Sequence, residues 1–243
     1  MMSRSMLSLA ASLALLSLTA LGQKKGEVLA AAAMMENVER GFEGIRDFEV
    51  TIEATIDMER MRVPKMTGTL YFKKLDKIRF ASTNFIMVPR EGIVVNPSIL
   101  RERYQPALAG EEENGGKKLY KLQLTAKAEK IRPRLMTLWI DPSNWTIVKM
   151  ETVPYQGRIL RSSFEYELQE GKYWLPRRLL TSFDVAARDT TRQFELEVEP
   201  PPQFEQMRRP PRSGTITVLY SSYKVNVGLS DEIFERREGT VKE

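Results

Sequence analysis

Residues Phe48 to Glu59 read FEVTIEATIDME, with Phe48, Val50, Ile52, Ala54, Ile56 and Met58 apolar and every residue between them polar. Strict alternation of this kind dictates an extended strand with one dry face and one wet face. The pattern recurs along the chain. Met66 to Lys73 (MTGTLYFK) aligns Met66, Gly68, Leu70 and Phe72, and Asp76 to Ser82 offers a hairpin partner. Lys118 to Thr125 aligns Tyr120, Leu122 and Leu124. Arg134 to Ile140 and Trp145 to Val153 flank the turn Asp141-Pro142-Ser143-Asn144. Arg158 to Glu167, Tyr173 to Val185, Thr191 to Glu199 and Thr215 to Val225 complete the series. Only Glu27 to Arg40 (EVLAAAAMMENVER) reads as a long helix, ended by Gly41 and Gly44. Many short strands and one long helix exclude a βαβ architecture and require a sheet that curls, pairs with a second sheet, or covers something.

The 243 residues, 42% hydrophobic and 28% charged, suit one globular domain. The first 22 residues read as an export signal, with Arg4 ahead of the uncharged run Met6 to Leu21 and a small-x-small site at Ala20-Leu21-Gly22. The expectation is therefore a signal peptide over 1–22, a single domain over 23–243, and a periplasmic location. The formal net charge of +5 is spread among acidic residues, which points to a solvated surface and not to nucleic acid.

The chain has no cysteine and no histidine, which removes disulfides, Ser-His and Cys-His catalysis, and most zinc sites. No phosphate-binding glycine loop is present. Glu49, Glu53 and Asp57 share the wet face of the first strand. At a rise of ~3.3 Å per residue the first two lie ~13 Å apart, too far for a retaining glycosidase pair. Ser162-Ser163 has no base that the spacing singles out. These absences predict a protein that is not an enzyme and carries neither cofactor nor metal.

Two stretches depart from the strand pattern. Asn84 to Arg103 (NFIMVPREGIVVNPSILRER) is apolar yet broken by Pro89, Gly92 and Pro97. Its end predicts a short helix, Ser98 to Arg103, capped at Asn96-Pro97. Its start is expected either to close over the sheet as a lid or to plug it. Glu199 to Ser213 (EPPPQFEQMRRPPRS) holds too many prolines for regular structure.

Four pieces together resemble the LolA-like family of outer-membrane lipoprotein-sorting proteins. They are the N-terminal helix running into FEVTIEATIDM, GTLYFKKLDKIRF at Gly68 to Phe80, MTLWIDPSNWTIVKMET at Met136 to Thr152, and YWLPRRL followed by YSSYKVNVGLSDEIF at Tyr220 to Phe234. The resemblance implies a mainly β fold, a single strongly curved antiparallel sheet forming a half-open barrel. An N-terminal helix and a lid helix or loop would cover the concave apolar face. It also implies a carrier of lipoprotein acyl chains or lipid, with an inner-membrane donor and an outer-membrane acceptor as partners; a monomer is expected. On that basis the cavity face is expected to be Ile52, Ile56, Leu70, Phe72, Leu138, Ile140, Val148 and Met150, with Phe85, Met87 and Val94 as lid. The family's lid-holding arginine corresponds to Lys74, which cannot form the same forked contacts. The alternative is an envelope sensor or binding module of the same fold with a filled core.

Overall fold

The computed structural model describes residues 28–58, 61, 62, 64–74, 76–81, 93–152, 158–185 and 213–235. The expected signal segment 1–22, the lid residues Phe85 and Met87, the strand expected over Thr191 to Glu199 and the Pro-rich stretch up to residue 212 lie outside the described residues.

Helix α1 occupies 28–43. Ala31, Met35 and Val38 are buried at helical spacing, and Phe42 continues their stripe. The strands are β1 (Asp47–Met58), β2 (Met61–Arg62), β3 (Met66–Lys73), β4 (Lys77–Ala81), β5 (Tyr104–Asn114), β6 (Lys117–Ala126), β7 (Leu135–Asp141), β8 (Thr146–Thr152), β9 (Arg158–Gln169), β10 (Tyr173–Val185) and β11 (Ser213–Val225). Helix α2 (Pro97–Arg103) precedes β5, and a last helical turn spans Glu232–Glu235.

The sheet order is β4-β3-β1-β11-β10-β9-β8-β7-β6-β5, with β2 paired to the end of β1. Neighbours run antiparallel. From β5 to β11 the chain meanders, and the first long strand then pairs with the last. Among the described residues β4 and β5 are not paired to each other, so the sheet is not closed into a barrel. This is the half-open, mainly β fold expected.

Besides the two-residue β2, one long strand escapes sequence reading. β5 reads YQPALAGEEEN, and proline, glycine and three consecutive glutamates argue against a strand. It forms because among the described residues it is an edge strand, where Pro106 need not donate to a further neighbour. Gly110, with φ 125°, sits at a register shift against β6.

The apolar faces gather into two clusters. One joins β1, β3, β4, β9, β10 and β11, with Ile45 and Ile93. The other places α1 and Leu100 of α2 on β5, β6, β7 and β8. Val95 and Met150 pack against both. On the outer face Glu49 pairs with Lys224 at 2.9 Å and Glu53 with Lys65 at 2.6 Å, as a wet face requires.

The β7–β8 turn is built by its own side chains. Asp141 accepts from Ser143 N at 2.9 Å and Ser143 Oγ at 2.6 Å, and Asn144 accepts from Thr146 N at 3.2 Å. Burial raises the Asp141 carboxyl, but the Ser143 bonds and Lys117 at 3.3 Å more than offset it, so it titrates below its ordinary 3.8. A depressed carboxyl adds stability that is complete above about pH 4 and drains away as the pH falls below it. Asp141→Asn is expected to flatten this acid limb and to cost about 1–2 kcal/mol at neutral pH. Urea unfolding at stepped pH checks it, and an acid limb parallel to the wild type would place the dependence elsewhere.

Candidate functional site

The structure brings most of the expected cavity residues together, but against one another. Ile52, Leu70 and Phe72 are fully buried and Ile56 nearly so, all in the cluster around β1. Leu138 and Ile140 are fully buried beneath α1 and α2. Met150 bridges the two clusters. Val148 departs from its expected position. The register places Ile140 opposite Ile147 and Trp139 opposite Lys149, so β8 carries an extra residue. That bulge turns Ile147 into the core and leaves Val148 half-buried.

An open space lies beside these residues. A cleft of about 60 Å³ lies between the last turns of α1, the strap Ile93–Val95, the β7–β8 turn and the β9–β10 hairpin. None of the eight expected cavity residues lines it; of the expected lid, Val94 does. At ~10–15 Å³ per water it has room for roughly four to six waters, well below the ~300–1,000 Å³ of a preformed ligand pocket.

Its walls are aromatic. Phe42, Phe48, Trp145, Phe164 and Trp174 line it together with Tyr166, Tyr220 and Tyr223. All three tyrosine hydroxyls donate to backbone carbonyls. Tyr220 reaches Ile93 O at 2.8 Å, Tyr223 reaches Pro176 O at 2.7 Å, and Tyr166 reaches Ile147 O at 2.9 Å. Burial pushes all three phenols well up, so they stay neutral donors. Among the described residues no Asp, Glu, Lys or Arg lines the cleft.

Alternation cannot find this cluster, because Tyr220 and Tyr223 are three residues apart. Ser222 has φ 56°, and Glu49 pairs with Lys224 while Thr51 pairs with Ser221. The extra residue on β11 aims both tyrosines inward, and their rings stack at 6.4 Å.

The strap is held at both ends of its described length. Asn96 caps α2 by accepting from Ser98 N at 3.1 Å, with Pro97 at the first helical position, as expected from the sequence. Tyr220 holds the other end through Ile93. The Lys74 ammonium donates to Glu43 O at 2.6 Å, at the negative end of α1.

Tyr220→Phe keeps the ring and removes the tie to Ile93. The expected loss is about 1–2 kcal/mol, measured by denaturant unfolding, because the Ile93 carbonyl is left without its donor. A loss below a few tenths of a kcal/mol would show that water replaces the hydroxyl.

Among the described residues no group of Asp or Glu side chains is arranged to hold a metal ion, and no helix is long and apolar enough to cross a membrane. No curated protein matches the chain in sequence. Solved structures match it in fold. An outer membrane lipoprotein-sorting protein domain from Vibrio parahaemolyticus aligns with a TM-score of 0.59 at 12% identity, over 85% of this chain and 97% of that one. A DUF1329 family protein from Desulfovibrio piger aligns with 0.58 at 13% identity, over 86% and 97%. A LolA superfamily protein from Nitrosomonas europaea aligns with 0.51 at 15% identity, over 84% and 96%. A family model described as an uncharacterized protein matches residues 97–238, from α2 past the last helical turn. The chain therefore belongs to the family of that model, and its half-open sheet is the LolA-like fold.

Proposed function

We propose that the chain is an exported, periplasmic carrier that shields an acyl chain of a lipoprotein or lipid and takes part in lipoprotein sorting, without catalysis. The observation that carries this is the cleft itself: aromatic, uncharged among the described residues, and walled by α1, the strap and strands of a LolA-like sheet. Such a lining has nothing to offer a charged headgroup and everything to offer a hydrocarbon. Burial gives about 0.8 kcal/mol per CH₂, so a chain of ordinary length binds without an ion pair. The space of about 60 Å³ means the chain must displace something to enter. The strap Ile93–Val95 is the element to move, because it lines the cleft, with Tyr220 as one of its ties at Ile93. Return of the strap, or a partner that accepts the chain, then drives release. An inner-membrane donor and an outer-membrane acceptor are the partners this role requires.

The test is native mass spectrometry and lipid extraction of the protein purified from the periplasm. Bound lipid or lipopeptide is expected. Protein that neither co-purifies with lipid nor takes up an added lipopeptide sinks the carrier reading. The small cleft volume favours a second reading, a binding or sensor module with a filled core. That module predicts the empty outcome in the same measurement.

A further inference from the structure

We propose that the tip of the β9–β10 hairpin is a membrane-docking element, whose Trp174–Leu168 pair enters the interfacial layer of a zwitterionic phospholipid bilayer. The inference deepens the carrier reading and rests on it for its purpose, since it says where an acyl chain would pass between bilayer and cleft.

The tip is rigid. Three residues, Glu170 to Lys172, connect the strands: Glu170 (φ 53°) and Gly171 (φ 66°) are both left-handed, Lys172 N donates to Gln169 O at 3.0 Å, and Gln169 stands opposite Tyr173. Leu168 and Trp174 stand directly opposite each other across the hairpin, 42% and 39% exposed. Two residues further from the turn, Tyr166 opposes Pro176, so by the pleat this pair shares their side. Trp174, Tyr166 and Pro176 all line the cleft. Apolar surface thus runs without a break from the cleft out to solvent.

Area and charge select the occupant. The exposed part of the indole is on the order of 100 Å², and leucine adds less. A stable protein interface buries about 800 Å² per partner, so the pair is too small for a dimer or a protein partner. A bilayer interface has no such requirement, because an indole settles at headgroup level with its ring in the apolar boundary and its N–H toward water. The hairpin end carries Glu167 and Glu170 against Lys172, whose ammonium lies 5.0 Å over the Tyr173 ring. It therefore has no excess positive charge to attract anionic lipid, and docking depends on apolar burial.

The chain has no cysteine, so Leu168→Cys provides a single thiol for an environment-sensitive fluorophore. Leu219→Cys, which is 43% exposed and alternates with the inward Val218 and Tyr220, is the control. With phosphatidylcholine vesicles the label at 168 is expected to shift to the blue, undiminished by high salt, while the label at 219 does not respond. The dye reads its own position, so the result does not depend on residues 1–22. Trp174→Ser is expected to weaken the vesicle response of the 168 label roughly tenfold. An unshifted label at 168, or a shift seen only with anionic vesicles and lost in salt, overturns the proposal. A chain that takes up a lipopeptide in vesicle-free solution while the 168 label stays silent overturns docking alone. A chain that docks but never takes up lipopeptide supports docking and overturns the carrier reading alone.

Discussion

Phe72→Ala is expected to destabilise the fold by about 3–5 kcal/mol, read as a lowered urea midpoint at unchanged slope. The ring is fully buried, stacks on Phe48 at 5.0 Å and meets Phe42 edge-on at 5.6 Å. It therefore welds the end of α1 to β1 and β3, and its removal leaves a cavity between elements that cannot close up independently. The aromatic pairs add roughly 0.5–1.5 kcal/mol each beyond the area lost. The same substitution separates core from cleft. Phe72 does not line the cleft, so lipopeptide uptake should persist wherever the variant stays folded. A loss below about 1 kcal/mol would show that Phe72 faces a space already empty, as a cavity-lining residue would.

Asn226→Ala is expected to cost about 3–4 kcal/mol, although the side chain sits at the end of a strand and not in the core. Its Nδ2 donates to Gly44 O at 2.9 Å and to Tyr173 Oη at 3.1 Å, while Oδ1 accepts from Arg46 N at 2.7 Å. Its backbone N–H donates to Asp47 O at 2.8 Å. One residue thus joins the end of α1, the start of β1, the start of β10 and the chain leaving β11. Gly44 belongs to the same knot, since a Cβ there would lie 3.0 Å from the Tyr173 ring. Each lost side-chain bond is worth about 0.5–1.5 kcal/mol, and alanine at φ 57° adds roughly 1–2. Asn226→Gly removes the bonds without the backbone cost, so it should recover about 1 kcal/mol relative to alanine. Thermal or urea unfolding of the two variants side by side checks this, and equal losses would mean the φ value carries no strain.

Alternation was a faithful guide wherever the strands run straight. In β1 the apolar residues from Val50 to Met58 are all buried, and the residues between them are at least partly exposed. Capping chemistry was equally legible at Asn96-Pro97, and turn chemistry at Asp141 to Asn144. The candidate site was not legible in the same way. Its tyrosines, and the exchange of Val148 for Ile147, depend on bulges in β11 and β8. A bulge changes which face a residue occupies without changing residue type, so a period of two misassigns every residue beyond it. β5 was missed for a different reason: its proline and glycine are tolerated only because the strand has, among the described residues, a neighbour on one side.

The order of apolar and polar residues by itself determined that this chain makes a sheet of short antiparallel strands with one long helix to lay against it. That follows from local geometry, since each pleat or helical turn sorts its own side chains. Which dry faces meet each other and which border open space was decided only by tertiary structure. Ile52, Leu70, Phe72, Leu138 and Ile140 fill the core, and the aromatic cleft opens beside them, where the curl of the sheet brings α1, the strap and the β9–β10 hairpin together. Curvature, register shifts and the pairing of the first long strand with the last are properties of the whole sheet, and no single stretch of residues encodes them.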